Sequence, residues 1–202
     1  MMRLSRFFQK PGRRQFITIV SGLPRSGTSM MMKMLEAGGL PVLTDHQRVP
    51  DEDNPKGYYE FERVKKLPEG DYAWLPEARG KVVKVISALL EHLPEGYDYR
   101  VIFMQRKMEE ILASQKQMLV RANKPSDDVS DDDLAAMYTR HLASVQAWLA
   151  TRPNFRVLNV DYNDLLIRPE THLPQINRFL GGNLDIEKMT YVVDPSLYRQ
   201  RK

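Results

Sequence analysis

The chain has 202 residues, of which 42% are hydrophobic and 28% charged, a balance that suits one soluble domain with its own core. It contains no cysteine, so disulfides, thiolate metal sites and cysteine nucleophiles are excluded, and no apolar run approaches the roughly 18 residues of a membrane span. The net charge of +4 favours anionic ligands, but the basic residues are dispersed and are interrupted by the acidic run Asp127 to Asp133. That pattern ranks a small phosphorylated ligand ahead of nucleic acid.

Residues 1–14 carry Arg3, Arg6, Lys10, Arg13 and Arg14 without an acid. They read as a basic arm with no signal-peptide apolar segment, so the cytoplasm is the expected compartment. Residues 15–202 read as a single domain. Gln15 to Ser21 is an apolar, β-rich run that stops at glycine, which predicts a buried strand. From Thr28 the period becomes helical, with Met30, Met31, Met34 and Leu35 on one side and Gly38-Gly39 at the end. Residues 44–57 are polar and rich in Asp and Pro, hence loop, and a short helix is expected near 58–67. Strands are predicted at 81–87, 99–105 and 155–161, and helices at 107–122 and 132–150. The latter places Leu134, Met137, Tyr138, His141, Leu142, Val145, Trp148 and Leu149 on one face. A last helix carries Leu173, Ile176, Phe179 and Leu180 and closes at Gly181-Gly182. Strands alternating with helices predict an α/β fold, a parallel sheet in three layers with helices on both faces.

Gly22-Leu-Pro-Arg-Ser-Gly-Thr-Ser29 lies between the first strand and the first helix, with the glycine spacing of a P-loop. Glycines allow the backbone to approach an anion, and a helix N-terminus offers N–H groups and a positive dipole end. Thr28 stands where a nucleotide-triphosphatase loop has lysine, and the loop cation is Arg25. A kinase also requires a metal-binding acid at a later strand end. Asp161 alone meets that position, and Gln105-Arg106 ends another strand with a base. No metal site is expected, since His46, His92, His141 and His172 lack ligand spacing. His141, on the apolar stripe, reads as a satisfied core or margin histidine.

Pro24-Arg-Ser-Gly-Thr-Ser29 resembles the PRSGTT loop of the sulfotransferase family. Arg106 at a strand end with Ser114 eight residues later resembles that family's 3′-phosphate pair, although Lys107-Met108 follows where the family often has Asn or Pro. Val157 to Leu165, Arg168-Pro169 and Phe179-Leu-Gly181 resemble its late strand and helix end. The resemblance implies a P-loop-like fold and sulfuryl transfer from 3′-phosphoadenosine 5′-phosphosulfate (PAPS) to a hydroxyl or amine, with no metal. It implies donor contacts from Gly22, Pro24, Arg25, Ser26, Gly27, Thr28, Ser29, Arg106 and Ser114. Arg199 in the basic tail joins them if that tail folds over the 3′-phosphate. Arg25 is the expected stabiliser of leaving-group charge, with the Ser26, Thr28 and Ser29 hydroxyls beside it. Cytosolic members of the family resemble one another in a Lys-x-His at a strand end. Here Lys84 is present, but Ile86 stands in place of the histidine. The branch with the PRSGTT loop places a glutamate about twenty residues past it, an offset that falls on Asp45-His46-Gln47-Arg48. Asp45, His46 and Glu60 are therefore the candidate bases, Arg48 a candidate clamp, and Lys84 either catalytic or a side chain reaching out from the sheet end. The bland readings remain beside these: Asp45 capping a loop, His46 on the surface, Glu60 on a solvated helix face.

The expected acceptor is a small molecule or carbohydrate, with segments 44–57 and 123–131 available to shape a lid. Oligomeric state is not legible. A PAPS-binding protein without catalysis and an ATP-dependent small-molecule kinase are the competing readings.

Overall fold

The structure is a computed structural model, and it describes residues 16–45, 57–121 and 129–193. The basic arm, His46, Arg48, residues 122–128 and Arg199 lie outside them. Four parallel strands form one sheet in the order β2-β1-β3-β4: β1 Ile17–Gly22, β2 Val82–Lys84, β3 Tyr99–Gln105 and β4 Phe155–Asp161. The helices are α1 Thr28–Ala37, α2 Leu75–Ala78, α3 Met108–Arg121, α4 Asp131–Ala150, α5 Tyr162–Ile167, α6 Pro169–Phe179 and α7 Ile186–Val192. Two 3-10 helices, Glu62–Glu69 and Ser87–His92, flank β2.

Every residue of β1 is buried, as its continuous apolar run requires of a central parallel strand. The strand period of two divides its side chains between two cores. Val20 joins Met31, Met34, Leu35, Leu173, Ile176 and Met189, so α1, α6 and α7 cover one face. Ile17 and Ile19 join Leu67, Trp74, Leu75, Leu90 and Leu149, so the 3-10 helices, α2 and α4 cover the other. Burying a side chain the size of Ile19 stabilises by about 1.5–3 kcal/mol. The three-layer α/β expectation holds.

Four local expectations change. β2 was expected over 81–87 but pairs only over Val82–Lys84, after which Ser87 opens a 3-10 helix. Val85 stays buried and its N–H still donates to Val20 O at 3.0 Å, but the ladder stops and Ile86 is exposed. The helix expected near 58–67 starts only at Glu62. Tyr59 has φ 54, outside the right-handed helical region, and Glu60 O accepts from Thr44 Oγ1 at 2.8 Å. α7 went unpredicted although Asp185 caps it, accepting from Lys188 N–H, and Ile186, Met189 and Val192 follow at helical spacing. It docks where α1 ends, and a Cβ on Gly38 would stand 2.8 Å from Met189 Cγ. Finally, the apolar stripe of α4 is only partly covered: Leu149 is buried, whereas Met137 is 48% exposed. The C-terminal half of α4 lies on the sheet. Its N-terminal half reaches α3 instead, where Tyr138 Oη donates to Gln115 at 2.8 Å.

Candidate active site

In an open parallel sheet, ligands bind beyond the carboxyl ends of the strands, where the connections from adjacent strands run opposite ways. Here the chain leaves β1 toward β2 on one side, while β3 leads to β4 on the other. The crevice between the loops following β1 and β3 is therefore set by topology. It brings Leu23–Gly27 next to Gln105–Lys107.

The first loop is a tight turn. Ser26 N–H donates to Leu23 O at 3.2 Å, and Arg25, third of the four residues, has φ 69. A positive φ at that position belongs to a type II turn, which favours Pro just before it, as Pro24 provides, and usually takes glycine where arginine stands. The left-handed conformation costs a non-glycine residue about 1–2 kcal/mol. Arg106 Nη1 holds the Arg25 carbonyl at 2.9 Å. Strain at this loop is thus supported from the end of β3.

Gly22 and Gly27 are demanded by protein neighbours rather than by ligand approach alone. A Cβ on Gly22 would lie 2.7 Å from Met104 O, and one on Gly27 would lie 2.3 Å from the Tyr162 ring, with φ 143 and 97 respectively. Gly27 is the N-cap of α1 and brings no side-chain cap, and the first turn has no acid. The N–H groups that open the helix therefore have no side-chain cap at Gly27, and the dipole end is uncompensated by a first-turn acid. Ser26 is already engaged within the turn. Its hydroxyl is buried and donates to Leu23 O at 2.7 Å, which shapes the turn. Ser29 Oγ donates to Tyr58 O at 3.3 Å, while Thr28 is half-buried in the first turn.

Arg25 Nε donates to Ser114 Oγ at 2.9 Å, across 89 residues of sequence. The loop cation and the serine of α3 thus meet. Arg106, expected as a partner for the 3′-phosphate, is already engaged within the protein: its side chain is 8% exposed, and its Nε bonds Glu110 Oε2 at 2.9 Å. Glu110 is buried and also accepts from Asn163 Nδ2 at 2.8 Å. The guanidinium lies 4.6 Å from the centre of the Tyr162 ring. Burial raises the Tyr162 phenol above its ordinary range, against the pull of the neighbouring Arg106. Glu110, Tyr162 and Asn163 were missed as site residues. The signal for Glu110 was its position one helical turn after Arg106, and Tyr162 and Asn163 lay within the late-strand segment already singled out.

The base candidates separate. Asp45 Oδ2 accepts from Glu62 N–H at 2.6 Å and so caps the 3-10 helix, the bland reading of that residue. Glu60 lies 3.7 Å from Lys84 Nζ, with side chains 22% and 9% exposed. Lys84 also donates to Tyr58 O, the carbonyl that Ser29 of the loop contacts. Glu60, Lys84 and the start of α1 are therefore joined through residues 58–60. Burial, then Glu36, raises the Tyr59 phenol, which donates to Glu36 at 2.5 Å. Asp161 caps α5 by accepting from Asp164 N–H at 2.8 Å. His141 is satisfied by buried Ser87 at 2.9 Å, as read from the sequence. No group of His, Asp and Glu suited to a metal ion occurs among the described residues. No described helix is long and apolar enough to cross a membrane.

The model of the family described as "Sulfotransferase family" matches residues 56–185. The chain belongs to the sulfotransferase family. The matched segment begins after the phosphate loop, so the reading of this sulfotransferase's loop rests on its own residues and geometry. No curated protein matches it. Solved structures with the same fold include the sulfotransferase domain of the Synechococcus PCC 7002 olefin synthase, at 19% identity and TM-score 0.53, covering 96% of this chain and 86% of that one. Another is the sulfotransferase STF1 of Mycobacterium tuberculosis, at 21% identity and TM-score 0.56, covering 89% and 70%. A third is a mouse sulfotransferase, SULT7A1, solved with adenosine 3′,5′-bisphosphate, at 18% identity and TM-score 0.55, covering 95% and 68%. At these identities the likeness shows the fold.

Proposed function

We propose that this sulfotransferase transfers a sulfuryl group from PAPS to the hydroxyl of a small acceptor. The observation that carries the reading is the meeting of Arg25 with Ser114 at the topological crevice, since those residues come from separate donor signatures. The α1 N-terminus and Arg25 receive the 5′-phosphosulfate end, and Ser114 with Arg106 receives the 3′-phosphate. Glu110 behind Arg106 fixes the direction of its guanidinium. The planar fork of an arginine suits phosphate oxygens better than an ammonium does.

In the step itself, the acceptor oxygen forms a bond to sulfur as the bond from sulfur to the phosphate oxygen breaks. The acceptor proton passes to the Glu60 carboxylate, and adenosine 3′,5′-bisphosphate leaves. Charge developing on the departing oxygen is met by Arg25 and the helix N–H groups. Lys84, 3.7 Å from the Glu60 carboxylate, positions it.

The competing kinase reading lacks both the loop lysine and a free acid at a strand end, since Asp161 caps α5. Labelled PAPS and labelled ATP with magnesium, offered with an acceptor panel, separate the two readings. Transfer from PAPS alone is expected. Glu60→Gln should lower kcat by about a hundredfold or more, within the usual range for a general base, while leaving bisphosphate affinity unchanged. Undiminished kcat in Glu60→Gln removes Glu60 from the mechanism.

A further inference from the structure

The end of the sheet opposite the crevice carries a cluster of arginines. Arg100 and Arg156 are register partners on β3 and the edge strand β4, so their side chains leave the same face of the sheet. Arg100 Nη1 donates to Phe179 O at 2.6 Å, which brings in Arg178 from the last turn of α6. Arg156 and Arg178 are exposed, and neither has an ion-pair partner among the described residues. Like charges set opposite each other on adjacent strands repel, and the acid closest to Arg100 along the chain is Asp98, two residues before it. The Arg100 guanidinium also lies 3.8 Å from the centre of the Phe16 ring, so residues 1–15 join the folded domain at this corner. They hold five Lys and Arg and no acid, whereas the whole chain has a net charge of +4. The rest of the molecule is therefore slightly negative, and the excess positive charge belongs to the segment that meets the arginine corner. Met1, Met2, Leu4, Phe7 and Phe8 are interleaved there with Arg3 and Arg6.

We propose that the arginine corner and residues 1–15 together dock the protein on an anionic membrane surface. Each Lys or Arg drawn to the negative potential of such a surface strengthens partition about fivefold. The Met, Leu and Phe side chains enter the boundary between headgroups and acyl chains, and the cationic and apolar contributions combine. Nucleic acid would match the arginines equally well, but it offers Met and Leu no hydrocarbon to enter. β3 is seven residues long, which sets the corner about 20 Å from the loop that follows Gln105. A protein docked by this end keeps its crevice turned to water, open to donor and acceptor. The docking is independent of the reaction the crevice performs, and partition rather than turnover measures it.

Cosedimentation of the full chain with vesicles tests this. The protein should pellet with phosphatidylcholine vesicles containing about one-third phosphatidylserine, stay in solution with pure phosphatidylcholine, and be released by raised salt. Arg156→Gln with Arg178→Gln should weaken partition about twenty-five-fold. Lys65→Gln with Arg140→Gln removes the same charge from the 3-10 helix Glu62–Glu69 and from α4, and should leave partition unchanged. Phe7→Ser with Phe8→Ser should weaken it by about tenfold, through lost burial of the two rings. Failure to pellet with the anionic vesicles, or equal pelleting with neutral ones, overturns the proposal. An equal loss in the Lys65 and Arg140 pair reduces the effect to net charge and overturns the arginine corner. An unchanged partition in the Phe pair overturns insertion. Tighter binding of a single-stranded oligonucleotide than of the vesicles gives the surface to nucleic acid. Release by inorganic phosphate, at an ionic strength where chloride releases nothing, gives the corner to free phosphate, and either result overturns membrane docking.

Discussion

Arg25 combines two demands that rarely fall on one residue. Its backbone takes a left-handed conformation suited to glycine, and its side chain supplies the loop's cation. The two can be separated experimentally. Arg25→Gly keeps the turn and relieves the strain, so its Tm should match or exceed that of wild type. Its kcat should nonetheless fall by about a hundredfold or more, as when a preorganised charge partner is removed from a transition state. Affinity for the product bisphosphate should fall much less, since Arg106, Ser114 and the α1 N-terminus persist. A variant that loses bisphosphate binding but turns over bound donor normally would make Arg25 an anchor. The sequence showed the position of this cation but not its conformation. Positive φ depends on the turn that Ser26 closes on Leu23 and on Arg106, 81 residues away.

Among the elements, the α5–α6 corner shows how local charge contributes to stability. Asp164 accepts from His172 at 2.7 Å and from Arg168 Nε at 2.7 Å. The hydrogen bond from His172, then that from Arg168, holds its carboxyl below the ordinary 3.8. A carboxyl lowered on folding stabilises the fold above its unfolded pKa, and that contribution disappears as pH falls through the folded value. Asp164→Asn should therefore lower Tm at neutral pH by a small amount, because the group is at the surface. It should also flatten the part of the stability profile that drops from about pH 4 downward. Thermal melts of both proteins across that range check this, and parallel profiles would show that the pair contributes nothing. α4 carries a different lesson. Its stripe was read correctly as helical, but periodicity does not say how much of a face a neighbour covers, and Met137 stayed exposed.

At the scale of the whole molecule, the order β2-β1-β3-β4 sets the crevice, because β1 and β3 are neighbours in it and their loops lie side by side. If the crevice binds donor nucleotide in the folded state alone, binding stabilises the whole domain. Adenosine 3′,5′-bisphosphate at about a hundred times its Kd adds about 2.7 kcal/mol, or a Tm rise of roughly 5–10 °C for a domain of this size. AMP at the same concentration should raise Tm less, because it leaves the 3′-phosphate contacts unused. Ser114→Ala should narrow the gap between the two nucleotides. Arg106→Ala should reduce both shifts, with the larger loss for the bisphosphate, since this arginine also holds the loop. Equal shifts for AMP and bisphosphate in wild type would remove the 3′-phosphate assignment.

Local patterns determined the strand-loop-helix unit, the alternation that makes a parallel sheet, and the phosphate loop with its arginine. Each is encoded by residues near one another in the chain, where periodicity, glycine spacing and caps act. The tertiary structure decided which candidates share a site. Asp45 and Glu60 have the same chemistry in the sequence. Folding assigns one to the cap of a 3-10 helix and sets the other beside Lys84 at the sheet edge. Arg106 read from the sequence as a phosphate partner, and only the fold shows Glu110, Tyr162 and the Arg25 carbonyl around it. Hydrogen bonds and desolvation act at a few ångströms, and no spacing along the chain reveals which distant groups come within that reach.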